Sequence, residues 1–63
     1  MRVSVNGKET EVAAGTSVAD LIAQYKLPPR HVAVESNRQL VPRAPYAATQ
    51  LSEGDQIEVV TLV

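Results

Sequence analysis

The first twelve residues alternate between hydrophobic and polar side chains in two short runs. Residues 1–5 place Met, Val and Val on one side and Arg and Ser on the other, and residues 8–12 alternate in the same way. A period of two is typical of a strand that buries one face. Asn6-Gly7 separates the runs, and both residues tolerate positive φ, which favours a tight hairpin turn. The sequence therefore predicts a β-hairpin.

A short amphipathic helix is expected next. Either Thr16 or Ser17 is its N-cap, and Asp20 follows Ser17 by three residues, like the acidic member of a capping box. Pro28-Pro29 ends the helix, because proline cannot donate to the helical ladder and restricts the residue before it. Four residues at helical spacing form its hydrophobic stripe: Val18, Leu21, Ile22 and Tyr25.

The second half of the chain predicts three more strands. Residues 31–35 form one, and residues 39–41 form a shorter one that Pro42 stops, with a turn at residues 36–38 between them. Residues 56–63 form the last strand. Both faces of this strand are largely hydrophobic, which favours a central position in the sheet.

The order of these elements predicts the fold class. Residues 43–50 are expected to be irregular or to form one weak helical turn, and residues 52–55 a turn. A hairpin, a helical crossover and further strands give a mixed sheet with one helix across it, and the crossover makes the first and last strands parallel. This is an α+β fold of the β-grasp (ubiquitin-like) type. Residues 1–63 are expected to form a single domain with a thin core.

Composition narrows what such a domain can do. There is no Cys and one His, so neither a disulfide nor a zinc site is expected to stabilise the fold. Six basic and seven acidic residues give a formal net charge of −1, which argues against a nucleic-acid or anionic-membrane surface. The N-terminus lacks a hydrophobic signal segment, and no run approaches the roughly 20 apolar residues of a membrane span. The expected location is the cytoplasm.

No arrangement of residues points to catalysis. The one histidine, His31, has no nucleophile or orienting group near it in the sequence, so a solvated or hydrogen-bonded role is favoured over a general base. The three glycines are dispersed and are better explained as turn residues than as a phosphate loop. The protein is expected not to be an enzyme and to bind no cofactor. Four carboxylates would be the candidates for a cation site, although a solvated surface is the stronger interpretation: Asp20, Glu53, Asp55 and Glu58.

The end of the last strand carries the candidate binding residues. Val60 and Leu62 lie on the face opposite the one that the helix can cover, and Val63 continues the hydrophobic run. An uncovered apolar patch on a small domain often marks a partner surface. The alternative, slightly less favoured, is that Tyr46 and the irregular segment before it fold over this patch.

Two arginines are further candidates for docking. Arg38 and Arg43 flank the dipeptide Val41-Pro42. They either dock an acidic partner surface or are ordinary surface charge, and the two interpretations are about equally strong. Arg43 is included in the predicted docking set.

Five stretches of the sequence form a recognisable combination: residues 3–8, 14–18, 32–35, 40–43 and 53–63. Val-Pro-Arg at residues 41–43 and Gly-Asp-x-Ile-Glu at residues 54–58 are fairly specific together, at this spacing and total length. In these stretches the chain resembles the ThiS-like sulfur carrier proteins of thiamine biosynthesis. The resemblance spans nearly the whole chain.

The resemblance implies a function that depends on the C-terminus. Members of this family carry a Gly-Gly terminus just past the last strand. An adenylating (E1-like) partner enzyme activates the terminal carboxylate with ATP, and sulfur then replaces AMP to give a thiocarboxylate that supplies thiazole formation. Glycines suit a narrow active-site channel, because a tail without side chains threads and bends freely. The implied partners are this adenylating enzyme and a thiazole synthase.

The sequence departs from the family pattern at its end. The C-terminal glycine expected to carry sulfur after Val63 is absent. The tail was removed, it was left out of the sequence, or the protein has lost sulfur transfer and retains only docking; the first two are favoured because the rest of the domain is intact. A related carrier for molybdopterin synthesis or tRNA thiolation and a tail-less ubiquitin-like interaction module remain alternatives. The compact length favours the thiamine branch over the molybdopterin one.

Overall fold

The chain forms a five-stranded sheet with one α-helix packed on one face. The computed structural model describes residues 1–62. Its elements in chain order are β1 (Arg2–Val5), β2 (Lys8–Glu11), α1 (Val18–Gln24), β3 (Val32–Ser36), β4 (Gln39–Leu40) and β5 (Gln56–Thr61). Two short 3-10 turns complete the fold, Pro29–His31 before β3 and Tyr46–Ala48 between β4 and β5.

The N-terminal hairpin forms as predicted. β1 and β2 pair antiparallel along their whole length. Asn6 and Gly7 have φ angles of 52° and 84°, the left-handed conformation that a tight two-residue hairpin turn requires at both positions. The second strand ends at Glu11, one residue earlier than expected.

The helix begins with the predicted capping box. Ser17 is the N-cap, and its hydroxyl oxygen accepts from the Asp20 amide at 3.0 Å. The Asp20 carboxylate accepts in return from the Ser17 amide at 3.1 Å. These two bonds satisfy amide groups that have no partner within the helix. Of the two N-cap candidates, Ser17 is therefore the correct one.

The helix ends earlier than the proline signal predicts. It stops at Gln24, and Lys26 adopts a positive φ of 58°. The amides of Lys26 and Leu27 donate back to carbonyls of the last turn at 3.0 and 3.2 Å, the two bonds of a Schellman C-cap. Tyr25 was predicted in the buried stripe, but it is the C-cap residue and is 41% exposed. The prediction for Tyr25 was wrong because the chain leaves the helix at that point.

The sheet order confirms the predicted mixed topology. The strands lie in the order β2-β1-β5-β3-β4, so β5 is central. β5 runs parallel to β1 and antiparallel to β3. The register places Val32 opposite Thr61 at one end and Ser36 opposite Ile57 at the other. The α+β prediction is confirmed, with a single helix crossing between the hairpin and the rest of the sheet.

The core lies between the helix and one face of the sheet. It is built mainly from aliphatic side chains, as the absence of Phe and Trp requires. Its buried members are Val3, Val5, Val12, Val18, Leu21, Ile22, Val32, Val34, Val41, Tyr46, Leu51 and Ile57. Tyr46 belongs to the 3-10 turn that packs against α1, which agrees with the prediction of one weak helical turn in this segment.

The hairpin of β3 and β4 differs slightly from the sequence prediction. β3 starts at Val32, because His31 belongs to the preceding 3-10 turn. Asn37 and Arg38 have φ angles of 52° and 69° and form the tight turn expected here. β4 contains only Gln39 and Leu40. Because β4 is so short, it exposes few unpaired amide and carbonyl groups at this edge of the sheet.

Candidate functional site at the end of the central strand

The C-terminal end of β5 presents two exposed hydrophobic side chains. Val60 is 54% exposed and Leu62 is 46% exposed. The alternative that Tyr46 covers them is wrong, because Tyr46 is 5% exposed in the core beneath the helix. Val63, the third hydrophobic member of the predicted docking set, lies outside the described residues. Val60 and Leu62 are therefore available at the point where the chain leaves the sheet.

Arg43 lies at the same end of the sheet as Val60. One guanidinium nitrogen, Nη2, donates to the Val32 carbonyl at 3.1 Å, and Val32 lies opposite Thr61 on β5. Arg38 lies in the turn after β3, at the other end of that strand. The structure thus brings Arg43, and not Arg38, to the end of the sheet that holds the predicted docking residues.

The side chain of Asn6 continues the sheet where β1 ends. The backbone amide of Asn6 donates to the Ile57 carbonyl at 2.8 Å. Its side-chain oxygen accepts from the Val59 amide at 2.8 Å, and its side-chain nitrogen donates to the Val59 carbonyl at 3.3 Å. We call these two side-chain bonds the Asn6 clamp. The clamp holds β5 as a further residue of β1 would.

The sequence reasoning used Asn6 only as a turn residue and missed this second role. The only available signal was that the last strand was predicted to be longer than the first. A longer central strand has backbone groups beyond the end of its neighbour, and such groups pair with side chains or with water. The side chain of Val59 packs against the core, while the two bonds of its backbone to Asn6 lie at the exposed surface.

Asn6→Gly is expected to lower the free energy of unfolding by about 1–2 kcal/mol, because it removes both bonds of the clamp. Glycine keeps the positive φ without steric cost. Asn6→Ala is expected to cost roughly 1 kcal/mol more, because alanine is strained at positive φ. Urea unfolding of the three proteins measures both differences. If Asn6→Gly is as stable as the wild type, the clamp does not stabilise β5.

Several charged groups pair with one another at the end of the sheet opposite Val60. The N-terminal ammonium lies 3.1 Å from Glu11 Oε2, and Arg2 lies 3.4 Å from Glu9 and 3.6 Å from Glu11. The Glu53 carboxylate accepts from the Arg2 amide at 2.9 Å. Asp55 accepts from the backbone of its own turn. These contacts fix the hairpin and the turn before β5.

The four carboxylates considered as a cation site are not brought together. Asp20 caps the helix, and Glu58 lies within β5. Glu53 and Asp55 lie in the turn before β5, where each accepts a hydrogen bond from a backbone amide. Among residues 1–62, no group of three or more His, Cys, Asp or Glu side chains could hold a metal ion. In this part of the chain no helix is long and hydrophobic enough to cross a membrane.

One carboxylate has a perturbed acidity. The hydrogen bond from the N-terminal ammonium, followed by the positive charge of that group, lowers the pKa of Glu11 below its ordinary value of 4.5, and Arg2 adds to the effect. A carboxyl whose pKa is depressed by folding stabilises the native state above its unfolded-state pKa. That contribution is lost as the pH falls through the folded-state pKa.

We therefore expect Glu11→Gln to be less stable than the wild type at neutral pH, with the difference disappearing in acid. Urea midpoints of both proteins, measured across the acidic range with a free N-terminal amine, test this. Glu58→Gln is the matched control, because Glu58 forms no ion pair within residues 1–62. A difference that persists at a pH below the folded-state pKa would contradict the assigned ion pair.

Comparison with protein families and curated proteins identifies relatives over almost the full length. The ThiS family matches residues 3–63. The sulfur carrier protein ThiS of Bacillus subtilis is 32% identical, over 97% of this chain and 94% of its own. Two thiazole synthases, from Magnetococcus marinus and Paramagnetospirillum magneticum, are 40% and 33% identical over the whole of this chain. This chain spans only 19% of the length of each of those two synthases.

Solved structures of similar shape include one from the same family. A crystal structure of the thiamine biosynthesis protein ThiS from Geobacter metallireducens has a TM-score of 0.87 and 30% identity, covering 100% of this chain and 96% of that one. A ubiquitin-like protein from Caldiarchaeum subterraneum has a TM-score of 0.56 and 20% identity, covering 100% and 97% of the two chains. The second likeness concerns the fold alone and agrees with the predicted β-grasp. Taken with the match to residues 3–63, the first confirms the resemblance drawn from the sequence: the chain belongs to the ThiS family.

Proposed function

We propose that this domain is a sulfur carrier of thiamine biosynthesis. The observation that carries the proposal is the end-to-end match with the Bacillus subtilis sulfur carrier, which covers 97% of this chain and 94% of the relative. Because the match covers nearly all of the relative, the sulfur carrier role in its name belongs to the region that it shares with this chain. The exit of the chain from the middle of the sheet suits this role, because the sulfur-bearing terminus would follow β5 directly.

The proposed chemistry takes place on a glycine terminus beyond Val63. The terminal carboxylate attacks the α-phosphorus of ATP, and pyrophosphate leaves. The resulting acyl adenylate is a good electrophile, so a sulfur nucleophile displaces AMP and leaves a thiocarboxylate. The domain contributes the carboxylate and a folded sheet that positions it, while an adenylating enzyme contributes the catalytic groups. In this proposal the domain is a substrate and not an enzyme, and it acts in the cytoplasm.

The fixed position of β5 in the sheet is the part of the proposal that the described residues support best. β5 is held by β1 and the Asn6 clamp on one side and by β3 on the other. The last described bond on the β3 side runs from the Leu62 amide to the His31 carbonyl at 2.7 Å. A partner that grips the domain would therefore place the following residues within a defined reach of its active site.

We propose two protein partners, an adenylating enzyme and a thiazole synthase. The support for the second is that two thiazole synthases contain a stretch similar to the whole of this chain. Proteins that act on each other in one pathway step gain effective concentration when they are joined in one chain. The proposed docking residues are Val60, Leu62, Val63 and Arg43.

Complementation tests the proposed pathway. A bacterial strain that lacks its own thiamine sulfur carrier receives either this chain with Gly-Gly added after Val63 or the chain ending at Val63. The proposal expects growth without thiamine for the first and no growth for the second. Failure of the first, together with rescue of a strain that lacks its molybdopterin or tRNA-thiolation carrier, would assign the domain to one of those alternatives.

The exposure of Val60 and Leu62 supports a second candidate, a ubiquitin-like interaction module that works without a tail. This candidate expects a partner to bind the chain that ends at Val63. Leu62→Asp would then abolish binding while the thermal unfolding temperature stays near that of the wild type. Binding that requires the added glycines would exclude this candidate.

A further inference from the structure

β1 and β3 lie on either side of β5, and they pair with different lengths of it. β1 pairs with β5 only at Ser4 opposite Gln56 and at Val5 opposite Ile57. The chain then turns away at Asn6, whose side chain reaches one step further, to Val59. β3 continues on the other side to Thr61. The last residues of β5 therefore have a strand beside them on one side only.

The direction of the backbone groups identifies the open position. Ile57 bonds towards β1 through its carbonyl, and Val59 does so through both its amide and its carbonyl. Along a strand, the backbone groups of every second residue point to the same side, so Thr61 directs its amide and carbonyl towards the β1 side as well. Leu62 points the other way and donates to His31. Beyond the Asn6 clamp, no strand of residues 1–62 lies on that side to receive Thr61.

Thr61 is exposed, so water can satisfy its backbone groups in the free protein. An exposed strand edge with unpaired amide and carbonyl groups is a template for an added strand. Most of the sheet avoids this hazard, because β4 is very short and β2 carries charged side chains. The open position on β5 lies beside Val60 and Leu62, which would supply hydrophobic contacts to an added segment.

Three basic residues lie at this end of the sheet, while the acidic residue of β5, Glu58, lies three positions before Thr61. Lys8 follows the hairpin turn at the end of β1, on the open side of β5, whereas Arg30 precedes His31 and Arg43 binds the Val32 carbonyl, so that both lie beside β3. None of the three forms an ion pair within residues 1–62. By contrast, the paired acidic groups Glu9 and Glu11 lie on the hairpin. An incoming segment with acidic side chains would be electrostatically complementary to this end of the sheet.

We propose that an extended, acidic segment of the thiazole synthase partner adds to the sheet beside the end of β5 and pairs with the backbone of Thr61. This inference rests on the proposed function for the identity of the partner. Strand addition would fix the direction in which the chain leaves the domain, since backbone pairing sets both the position and the twist of the last residues. It would also explain why β1 stops short of the end of β5.

The test compares two substitutions at Thr61. Thr61→Pro removes the amide that faces the open side of β5. It breaks no bond to β3, because Val32 and Thr61 face each other without exchanging hydrogen bonds. Proline is tolerated at a strand position whose amide faces away from the ladder. Thr61→Val is the matched control, because it removes the hydroxyl and keeps the amide. We expect Thr61→Pro to raise the Kd for thiazole synthase about tenfold and Thr61→Val to leave it nearly unchanged. Calorimetry with wild-type thiazole synthase measures both values.

Amide hydrogen exchange gives a second readout that needs no substitution. The Thr61 amide should exchange rapidly in the free domain and become protected in the complex, whereas the Val59 amide should be protected in both. The wild type could bind tightly while the two variants have equal Kd values and the Thr61 amide stays unprotected in the complex. That result would overturn the strand addition and leave the proposed function intact. Absence of any binding by the wild type would overturn both.

Discussion

Ile57→Ala is expected to lower the free energy of unfolding by about 2–5 kcal/mol, the largest stability loss among the substitutions considered. Ile57 is 1% exposed and lies on the central strand, opposite Val5 of β1 and Ser36 of β3. Its side chain packs in the core, so truncation to alanine leaves a cavity there. A domain of this length has a total stability of only about 3–9 kcal/mol, so the variant should approach the unfolding threshold.

Val60→Ala is the matched control for this substitution. It shortens a side chain on the same strand that is 54% exposed, so the expected loss is within about 0.5 kcal/mol. Thermal unfolding followed by circular dichroism separates the two, because in a domain of this size each kcal/mol shifts the midpoint by roughly 4–8 °C. Equal midpoints for the two variants would contradict the placement of the core on the Ile57 face.

Val60→Asp is expected to weaken binding to the adenylating enzyme by roughly 30-fold or more while leaving the fold intact. A charge placed at the centre of a hydrophobic contact has to be desolvated without a partner, and the loss at such a position is about 2 kcal/mol or greater. The prediction depends on Val60 lying within the docking surface, which its exposure at the end of β5 supports. Titration calorimetry with the adenylating enzyme measures the change.

Gln56→Asp is the control for the charge itself. Gln56 is an exposed residue on the same strand and the same face of the sheet, but it lies at the opposite end of the strand, four residues and about 13 Å away. It should bind like the wild type. If both substitutions weaken binding equally, the effect comes from general charge repulsion and the docking surface is not centred on Val60.

The elements that local chemistry determines could be predicted from the sequence. The Asn6-Gly7 turn, the Ser17 and Asp20 capping box, and the hydrophobic content of the last strand each act within a few residues. For that reason the hairpin, the helix start and the central position of β5 were all predicted correctly. The mixed topology then followed from the order of the elements and the crossover rule.

The end of the helix could not be placed in the same way. A left-handed C-cap is usually signalled by glycine or asparagine, and here the position is occupied by Lys26. The prolines that follow are a strong signal, so they drew the predicted end too far along the chain. Tyr25 was assigned to the buried stripe for the same reason.

The two roles that matter most at the end of β5 depend on contacts between distant residues. The side chain of Asn6 reaches Val59, 53 positions along the chain, and Arg43 reaches the carbonyl of Val32. Neither bond follows from the sequence spacing. The docking residues Val60, Leu62, Val63 and Arg43 remain predictions, and the substitutions above are designed to test the first of them directly.

The central claim is that a C-terminal carboxylate of this domain receives sulfur. The measurement that tests it most directly is the intact mass of the protein with Gly-Gly following Val63, after incubation with the adenylating enzyme, ATP and a sulfur donor. The account predicts the mass gain of one oxygen replaced by one sulfur, and no gain when ATP is omitted or when the chain ends at Val63. An unchanged mass in the complete reaction, with an adenylating enzyme that is active on its own carrier, would contradict it.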